Sequence, residues 1–260
     1  MQNLKVEARS THLGADGLSP IGNLCFYLTQ AIPGAITRPC AILAAVGLLL
    51  AVWKFQPKQI LLVGFVGLFL GGISFSPLHW HRWIIQIIPV VVLFSAGALD
   101  QIAIAFAKRL KASTGAVLSG LLLLTSAWPL YRTVIVGIQG FNPSTRVLAR
   151  EWILANVPSG SRIAQEAYTA PLAGTDYILF ERSSLAYERT LDDYSREGYR
   201  YLVVSSAMYG RYLAEPERYV AETAFYQALF TRAKLLQEFR PSNTRGGPVV
   251  RVYELEATGK

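Results

Sequence analysis

The residues best suited to chemistry in this sequence form one short cluster between two apolar runs. His79, His81 and Arg82 alternate with Trp80 and Trp83. Arginine keeps its charge and presents a fork of donors that matches a phosphate, and histidine can add a further donor. The cluster therefore predicts contact with an anionic lipid headgroup. The alternative is a plain interfacial anchor, in which the tryptophans lie at headgroup depth and Arg82 extends to water.

The elements that must position this cluster are membrane helices. Apolar runs at 60–75 and 84–99 flank it, and each approaches or reaches the roughly 20 residues that cross a bilayer. A partly apolar segment at 21–36 predicts a short helix lying in the interface, with a true span as the alternative. Four spans are predicted, at 39–55, 59–76, 83–105 and 115–137.

Two features inside the predicted spans have more than one reading. Gly67 and Gly71 form a GxxxG pattern, which allows close helix contact in lipid but also occurs in ordinary packing. Asp100 is a costly carboxylate for a span, which often marks function. Pairing with Lys108 or with headgroup water is the simpler account of Asp100.

Basic residues in the loops predict the orientation. Lys54 and Lys58 flank the loop between the first and second predicted spans. A basic cluster at 108–111 lies in the loop between the third and fourth. Alternation of the spans puts both loops on one side, which the positive-inside rule assigns to the cytoplasm. The His–Arg cluster, the N-terminal segment and the C-terminal half are then expected on the opposite side of the plasma or inner membrane.

The overall charge of +8 is unevenly distributed. Residues 1–140 contain ten Lys or Arg and three Asp or Glu, whereas residues 141–260 contain fifteen and fourteen. The basic excess therefore surrounds the membrane segments, and the second half has no basic stripe. No nucleic-acid partner is expected.

The second half predicts a small α/β domain. Helix and strand signals alternate there, which is the pattern of a sheet covered by helices. We therefore expect a polytopic α-helical membrane region, with about four spans plus an interfacial helix, followed by a small α/β extracytoplasmic domain. The expected boundaries are an external loop at 1–38, a transmembrane region at 39–139 and a soluble domain at 140–260. The predicted elements are helices at 144–156, 191–197 and 216–236 and strands at 162–167, 199–205 and 249–255.

Composition excludes several kinds of site from the second half. It contains no His and no Cys, which rules out Ser-His-Asp and Cys-His pairs and the usual zinc ligand sets, and it has no nucleotide-binding fingerprint. No metal and no cofactor are expected. A tyrosine-rich stretch at 187–219 could stack on sugars or form a core, and Asp192 and Asp193 could cap a helix or be solvated. Cys25 and Cys40 are expected as thiols, with a single bridge as the alternative.

Four stretches occur in an order that is known from other proteins. They are Phe26–Leu28 with Ile32–Pro33, His81–Trp83 through Ile88–Pro89, Ala149–Ile153 with Asn156–Ala164, and Gly247–Leu255. Together they resemble the C-terminal half of the polytopic glycosyltransferases that use polyprenyl-phosphate sugars, the family of protein mannosyltransferases and lipid A aminoarabinose transferases.

The resemblance implies transfer of a sugar from a polyprenyl-phosphate donor to an extracytoplasmic glycan, lipid or protein acceptor. It also implies donor-phosphate binding by Arg82 with His79 and His81. The family's catalytic acid lies in its first external loop, whereas only Glu7 and Asp16 precede the first clear span here. We therefore expect the catalytic half to lie outside this chain and assign no catalytic residue. The alternative is a non-catalytic membrane protein whose external domain binds a partner or a glycan.

Overall fold

The computed structural model describes residues 17–55 and 57–255, which belong to two units that meet at Arg132 and Thr133. Glu7 and Asp16 lie outside the described residues. In the first unit the helices are α1 (Pro20–Ile36, with a π turn at Tyr27–Ala31), α2 (Arg38–Lys54), α3 (Pro57–Ser74), a 3₁₀ helix (His81–Gln86) and α4 (Ile88–Leu110). Helix α5 (Thr114–Phe141) runs on into the second unit.

The helical, apolar character predicted for the first half is confirmed. Three helical stretches among the described residues are long and apolar enough to cross a membrane: α3, α4 and the stretch Thr114–Asn156. Helix α2 passes the same test only together with α1, from which it is bent by 118°. Thr37 makes that bend with a φ of 76°, and Pro39 opens the new helix at a position where proline is tolerated.

Helices α2 and α4 form the closest helix pair of the first unit. Small residues of α2, Ala44, Gly47 and Ala51, are buried against α4. The GxxxG glycines of α3 behave differently, because a Cβ placed on Gly67 or Gly71 would meet nothing within 4 Å. Close packing in this unit therefore uses the single glycine of α2 and not the GxxxG pattern.

The second unit confirms the predicted α/β class. Its helices are α6 (Thr145–Asn156), α7 (Leu191–Arg196), α8 (Ser206–Ala214) and α9 (Val220–Arg232). Its strands are β1 (Arg162–Glu166), β2 (Ile178–Arg182), β3 (Tyr201–Ser205), β4 (Lys234–Phe239) and β5 (Val250–Glu254), in the sheet order β2-β1-β3-β5-β4. Strand β1 pairs in parallel with β2 and β3, and β5 pairs antiparallel with β3 and β4.

The sheet carries a core on both faces. On one face Ala149 and Ile153 of α6 pack on Ile163, Val203 and Val252. On the other face aromatic side chains of α7, α8 and α9 pack together and on the sheet, as in the stacked pair Phe230 and Tyr253. Because successive strand residues face opposite sides, each strand contributes to both cores.

One predicted helix was wrong at both ends. Pro216 lies in the turn between α8 and α9 rather than at a helix start, and α9 begins at Val220. Helix α9 ends at Arg232, and the residues from Lys234 form strand β4 instead of continuing the helix. Strand β2 and helix α8 were not predicted.

Candidate functional site

The end of the first unit at which α3 ends and α4 begins is covered by α1. Asn23 of α1 is fully buried, and its side-chain amide donates to the carbonyls of Ser74 and Ser76 at 3.1 and 2.8 Å. The last carbonyls of a helix have no partner within that helix, so Asn23 completes the end of α3. This contact fixes α1 across the helix ends, while α1 and α2 together are also long and apolar enough to form one broken span.

The predicted His–Arg cluster lies at this same end. His79 and His81 both contact the Phe26 ring of α1 edge-on, with ring centroids 4.6 and 4.8 Å away. The Arg82 guanidinium lies 4.8 Å from the centre of the Trp80 ring. His81 and Arg82 are exposed, and His79 and Trp80 are half-buried. The structure thus places His79 and His81 against α1 and the Arg82 guanidinium on the neighbouring Trp80 ring.

A groove at the opposite helix ends contains Asp100. It has a volume of about 350 Å³ and lies between α2, α3 and α4, with Lys54, Gln59 and Gln101 also on its walls. The Lys54 ammonium donates to the side-chain oxygen of Gln101 at 3.2 Å. No ion pair between Asp100 and Lys108 occurs in the described part of this unit. Asp100 instead lines the groove.

A buried carboxyl group is the most unusual polar feature of the second unit. Glu166 is the last residue of β1 and is only 3% exposed. One of its oxygens accepts from the Ser205 N–H at 2.7 Å. The other accepts from the Tyr226 hydroxyl at 2.7 Å and from the Leu185 N–H at 3.4 Å. Glu166 therefore joins the ends of β1 and β3 to α9.

Burial changes the acidity of this carboxyl group. Loss of solvation raises the pKa of Glu166 to about 7, against the opposing effect of the donors from Ser205, Tyr226 and Leu185. Burial and the nearby Glu166 raise the pKa of the Tyr226 hydroxyl as well. A carboxyl group that titrates near neutral pH is a common property of functional sites, and also occurs in structural networks.

An open crevice lies beside Glu166 at the carboxyl ends of β1 and β2. It has a volume of about 380 Å³, and its walls include Arg146, Gln165, Tyr168, Glu181 and Arg182. The Gln165 amide donates to the Glu181 carboxylate across the strand pair, where the two residues are in register. This crevice is a second candidate site, because it combines two arginines, the exposed ring of Tyr168 and the Gln165–Glu181 pair.

The sequence does not predict this crevice. It predicts a strand over 162–167 that contains Glu166, and no element directly after it. One usable signal is a carboxylate at the end of a predicted strand, because ligand-binding residues of α/β domains often follow the carboxyl ends of strands. The other residues come from three separate stretches, and sequence spacing alone does not bring them together.

The tyrosine-rich stretch and the Asp192–Asp193 pair both have structural roles in this unit. Most of the tyrosine-rich stretch is core: Tyr194, Tyr199, Tyr201, Tyr209 and Tyr212 are all buried. Asp193 forms a capping box with Thr190 at the start of α7, and the Asp192 carboxylate accepts from Arg232 at 2.9 Å.

Metal-ligand side chains do not cluster in the described ranges 17–55 and 57–255, where no group of three or more His, Cys, Asp or Glu could hold an ion. Cys25 and Cys40 are both free thiols. Comparison with known proteins identifies no relative, since no protein-family model, no curated protein and no solved structure matches this chain.

Proposed function

We propose that this chain is part of a membrane glycosyltransferase that moves a sugar from a polyprenyl-phosphate carrier to an extracytoplasmic glycan, lipid or protein acceptor. Its contribution is contact with the donor phosphate. In this proposal the protein lies in the plasma or inner membrane, with the second unit outside the cytoplasm. The observation that supports it most is the position of Arg82 on Trp80, at the junction of two apolar helices and beside the docked α1.

Charge and depth both favour a lipid phosphate at this position. Residues 17–132 contain eight Lys or Arg and a single acidic residue, Asp100. A cationic, apolar unit of this kind attracts anionic lipid headgroups. Tryptophan prefers the headgroup layer, so Trp80 holds the Arg82 guanidinium at the depth where a lipid phosphate lies.

The two histidines have a different part in this proposal. Both rings pack on Phe26, so they connect the loop to α1 and set its position. Arginine keeps its charge at any working pH, whereas histidine is largely neutral near pH 7. Arg82 therefore supplies most of the electrostatic attraction, and His79 and His81 add donors and hold the loop.

Binding of polyprenyl phosphate to the full chain in nanodiscs tests the proposal. Loss of one charge-assisted contact typically weakens binding by about ten- to a hundredfold, which is the expectation for Arg82→Gln. Arg82→Lys should bind with intermediate affinity, because an ammonium lacks the fork that takes two oxygens at once. The matched control is Arg109→Gln, which removes an equal charge at the last turn of α4 and should bind as the parent does.

The anchor reading makes a different forecast for the same variants. A lysine extends to the headgroup layer as well as an arginine does, so Arg82→Lys would be silent. If Arg82→Lys and Arg82→Gln both insert normally and bind the lipid as tightly as the parent, the assignment is wrong and the cluster is an interfacial belt.

The crevice beside Glu166 favours a second candidate function. In this case the chain is a non-catalytic membrane protein whose second unit binds a partner or a glycan. The two candidates separate in one set of measurements: the second predicts that the parent chain does not bind polyprenyl phosphate at the Arg82 loop, while the crevice still binds its ligand.

A further inference from the structure

The crevice beside Glu166 lies next to the position at which open α/β sheets usually bind ligands. After β1 the chain turns toward β2, whereas β3 and the strands beyond it lie on the other side of β1. The strand order thus reverses between β1 and β3, and ligands of such sheets bind outside the carboxyl ends of the strands near this point. The Glu166 side chain occupies the space between the ends of β1 and β3, where it accepts from the Ser205 N–H. The open crevice lies beside it, at the ends of β1 and β2.

The walls of the crevice include two arginines and two carboxyl groups, and both arginines are anchored by backbone carbonyls. Arg146, in the first turn of α6, donates through Nε to the Thr169 carbonyl at 2.8 Å. Arg182, at the end of β2, donates through Nη1 to the Tyr187 carbonyl at 2.9 Å. Each of these hydrogen bonds uses one of the five N–H donors of a guanidinium, so other donors of the same group remain for a ligand. Both side chains are therefore held in place at the wall by the backbone, which suits recognition of an anionic group.

The two carboxyl groups of the crevice, Glu166 and Glu181, both accept hydrogen bonds from neighbouring groups. Glu181 accepts from Gln165, and the Glu166 carboxyl is held by two N–H groups and the Tyr226 hydroxyl. Glu188, outside the crevice, lies 4.0 Å from the Arg182 guanidinium, at the outer limit of an ion pair between exposed groups. Such a distant, exposed pair is weak, so it does not cancel the attraction of Arg182 for an anion.

Tyr168 adds an aromatic surface in a strained backbone position. Its φ is +65°, a left-handed value that favours glycine, yet the position holds a bulky residue whose surface is 49% exposed. Strained conformations of this kind persist where the surrounding structure enforces them, and they are common at ligand clamps. The Arg211 guanidinium lies 5.8 Å from the ring centre and adds a third cation near the crevice.

We propose that this crevice binds an acidic saccharide, a pyranose that carries a phosphate or a carboxylate. Arg146 and Arg182 bind the anionic group, the Tyr168 ring contacts the apolar face of the sugar, and the paired Gln165 and Glu181 meet its hydroxyl groups. The volume of about 380 Å³ lies within the range of small-molecule sites. This site is separate from the Arg82 loop, so the inference does not depend on the donor-lipid proposal.

Titration calorimetry of the full chain in nanodiscs, with four soluble probes, tests the inference. The probes are glucuronate, glucose 1-phosphate, glucose and inorganic phosphate. At least one of the two acidic sugars should bind at least about tenfold more tightly than glucose and than inorganic phosphate. The stronger of the two identifies the anionic group as carboxylate or phosphate. None of the probes has a lipid tail, so failure here is distinguishable from failure of polyprenyl-phosphate binding on the same preparation.

Variants locate the binding in the crevice. Arg146→Gln and Arg182→Gln should each weaken binding of the acidic sugar by about tenfold or more. Arg245→Gln, an exposed arginine of the same unit outside the crevice, should change nothing. Tyr168→Gly removes the ring and relieves the backbone, so binding should weaken while the melting temperature stays equal or rises. Absence of binding up to about 10 mM, or equal binding by all variants, would overturn the inference.

Discussion

Gly47 of α2 lies directly against the backbone of Phe94 in α4. A Cβ on Gly47 would be 2.7 Å from the Phe94 carbonyl carbon and closer still to its oxygen. In addition, the hydroxyl of Ser95 donates to the carbonyl of Cys40, which ties the same two helices together. This close backbone contact and the interhelical hydrogen bond join α2 to α4.

The first prediction concerns this contact. Gly47→Ala should destabilise the protein by about 1–3 kcal/mol, because the two backbones must separate to admit the methyl group. Gly67→Ala is the matched control and should lie within about 0.5 kcal/mol of the parent, since open space surrounds that position. Thermal denaturation in detergent, followed by circular dichroism, measures both. A stable Gly47→Ala variant would contradict the packing described here.

The second prediction concerns the docking of α1. Asn23→Ala removes both donors to the end of α3, which should cost about 1–3 kcal/mol of local stability because two carbonyls lose their partner. Hydrogen exchange should then rise in α1 and in the loop that carries Arg82. Gln30→Ala, an exposed change on the same helix, should leave exchange unchanged. Equal protection in both variants would show that Asn23 does not fix the loop.

The third prediction is a pH dependence that comes from Glu166. Its pKa in the folded protein is raised from 4.5 to about 7, so between these values the folded state holds a proton that the unfolded state has lost. The stabilising effect is therefore fully present below pH 4.5 and is lost as the pH rises through 7. The slope should be at most about 1.4 kcal/mol per pH unit in that window.

Hydrogen exchange of β1 and β3 peptides between pH 4.5 and 8, corrected for intrinsic rates, measures this effect. Glu166→Gln cannot ionise, so its stability should not fall across the window. It should also be less stable than the parent at pH 5, because the amide nitrogen replaces one of the two oxygens and must face either the Ser205 N–H or the Leu185 N–H. Glu151→Gln, an exposed carboxylate of α6, is the control. A parent whose stability rises with pH in this window would contradict the raised pKa.

The fourth prediction concerns orientation. The basic residues near Lys54 and Lys108 lie at the helix ends opposite to α1, so the positive-inside rule places α1 and the second unit outside the cytoplasm. In a chain with Cys25→Ser and Cys40→Ser, an impermeant thiol reagent added outside intact cells should label Ser242→Cys and not Ser113→Cys. Labelling of Ser113→Cys alone would reverse the orientation.

The fold was predictable where a segment's own pattern decides its structure. Long apolar runs predicted the helices that are long and apolar enough to cross a membrane, and an apolar run also predicted the strand at Tyr201–Ser205, which is buried throughout. The pattern failed at Lys234–Phe239, where a sequence that suits a helix forms an edge strand because β5 offers it a backbone to pair with. Ala233 already has extended dihedral angles, which end α9 before this strand.

The candidate sites show the same division. His79, His81 and Arg82 are neighbours in sequence, so composition alone brought them together. Arg146, Glu166 and Arg182 become neighbours only through the pairing of β1 with β2 and the packing of α6, which no local pattern encodes. The GxxxG pattern shows the reverse case, a motif without the contact that it suggests.

Photo-crosslinking of the donor lipid tests the central claim most directly. The reagent is a polyprenyl phosphate with a photoreactive group on its first isoprene unit, applied to the full chain in nanodiscs. We predict crosslinked peptides from α1 and from the loop and 3₁₀ helix around Arg82, with labelling that excess polyprenyl phosphate removes and excess phosphatidylglycerol does not. Labelling that is confined to the opposite helix ends near Lys108, or that phosphatidylglycerol removes equally well, would contradict a donor-phosphate site at Arg82.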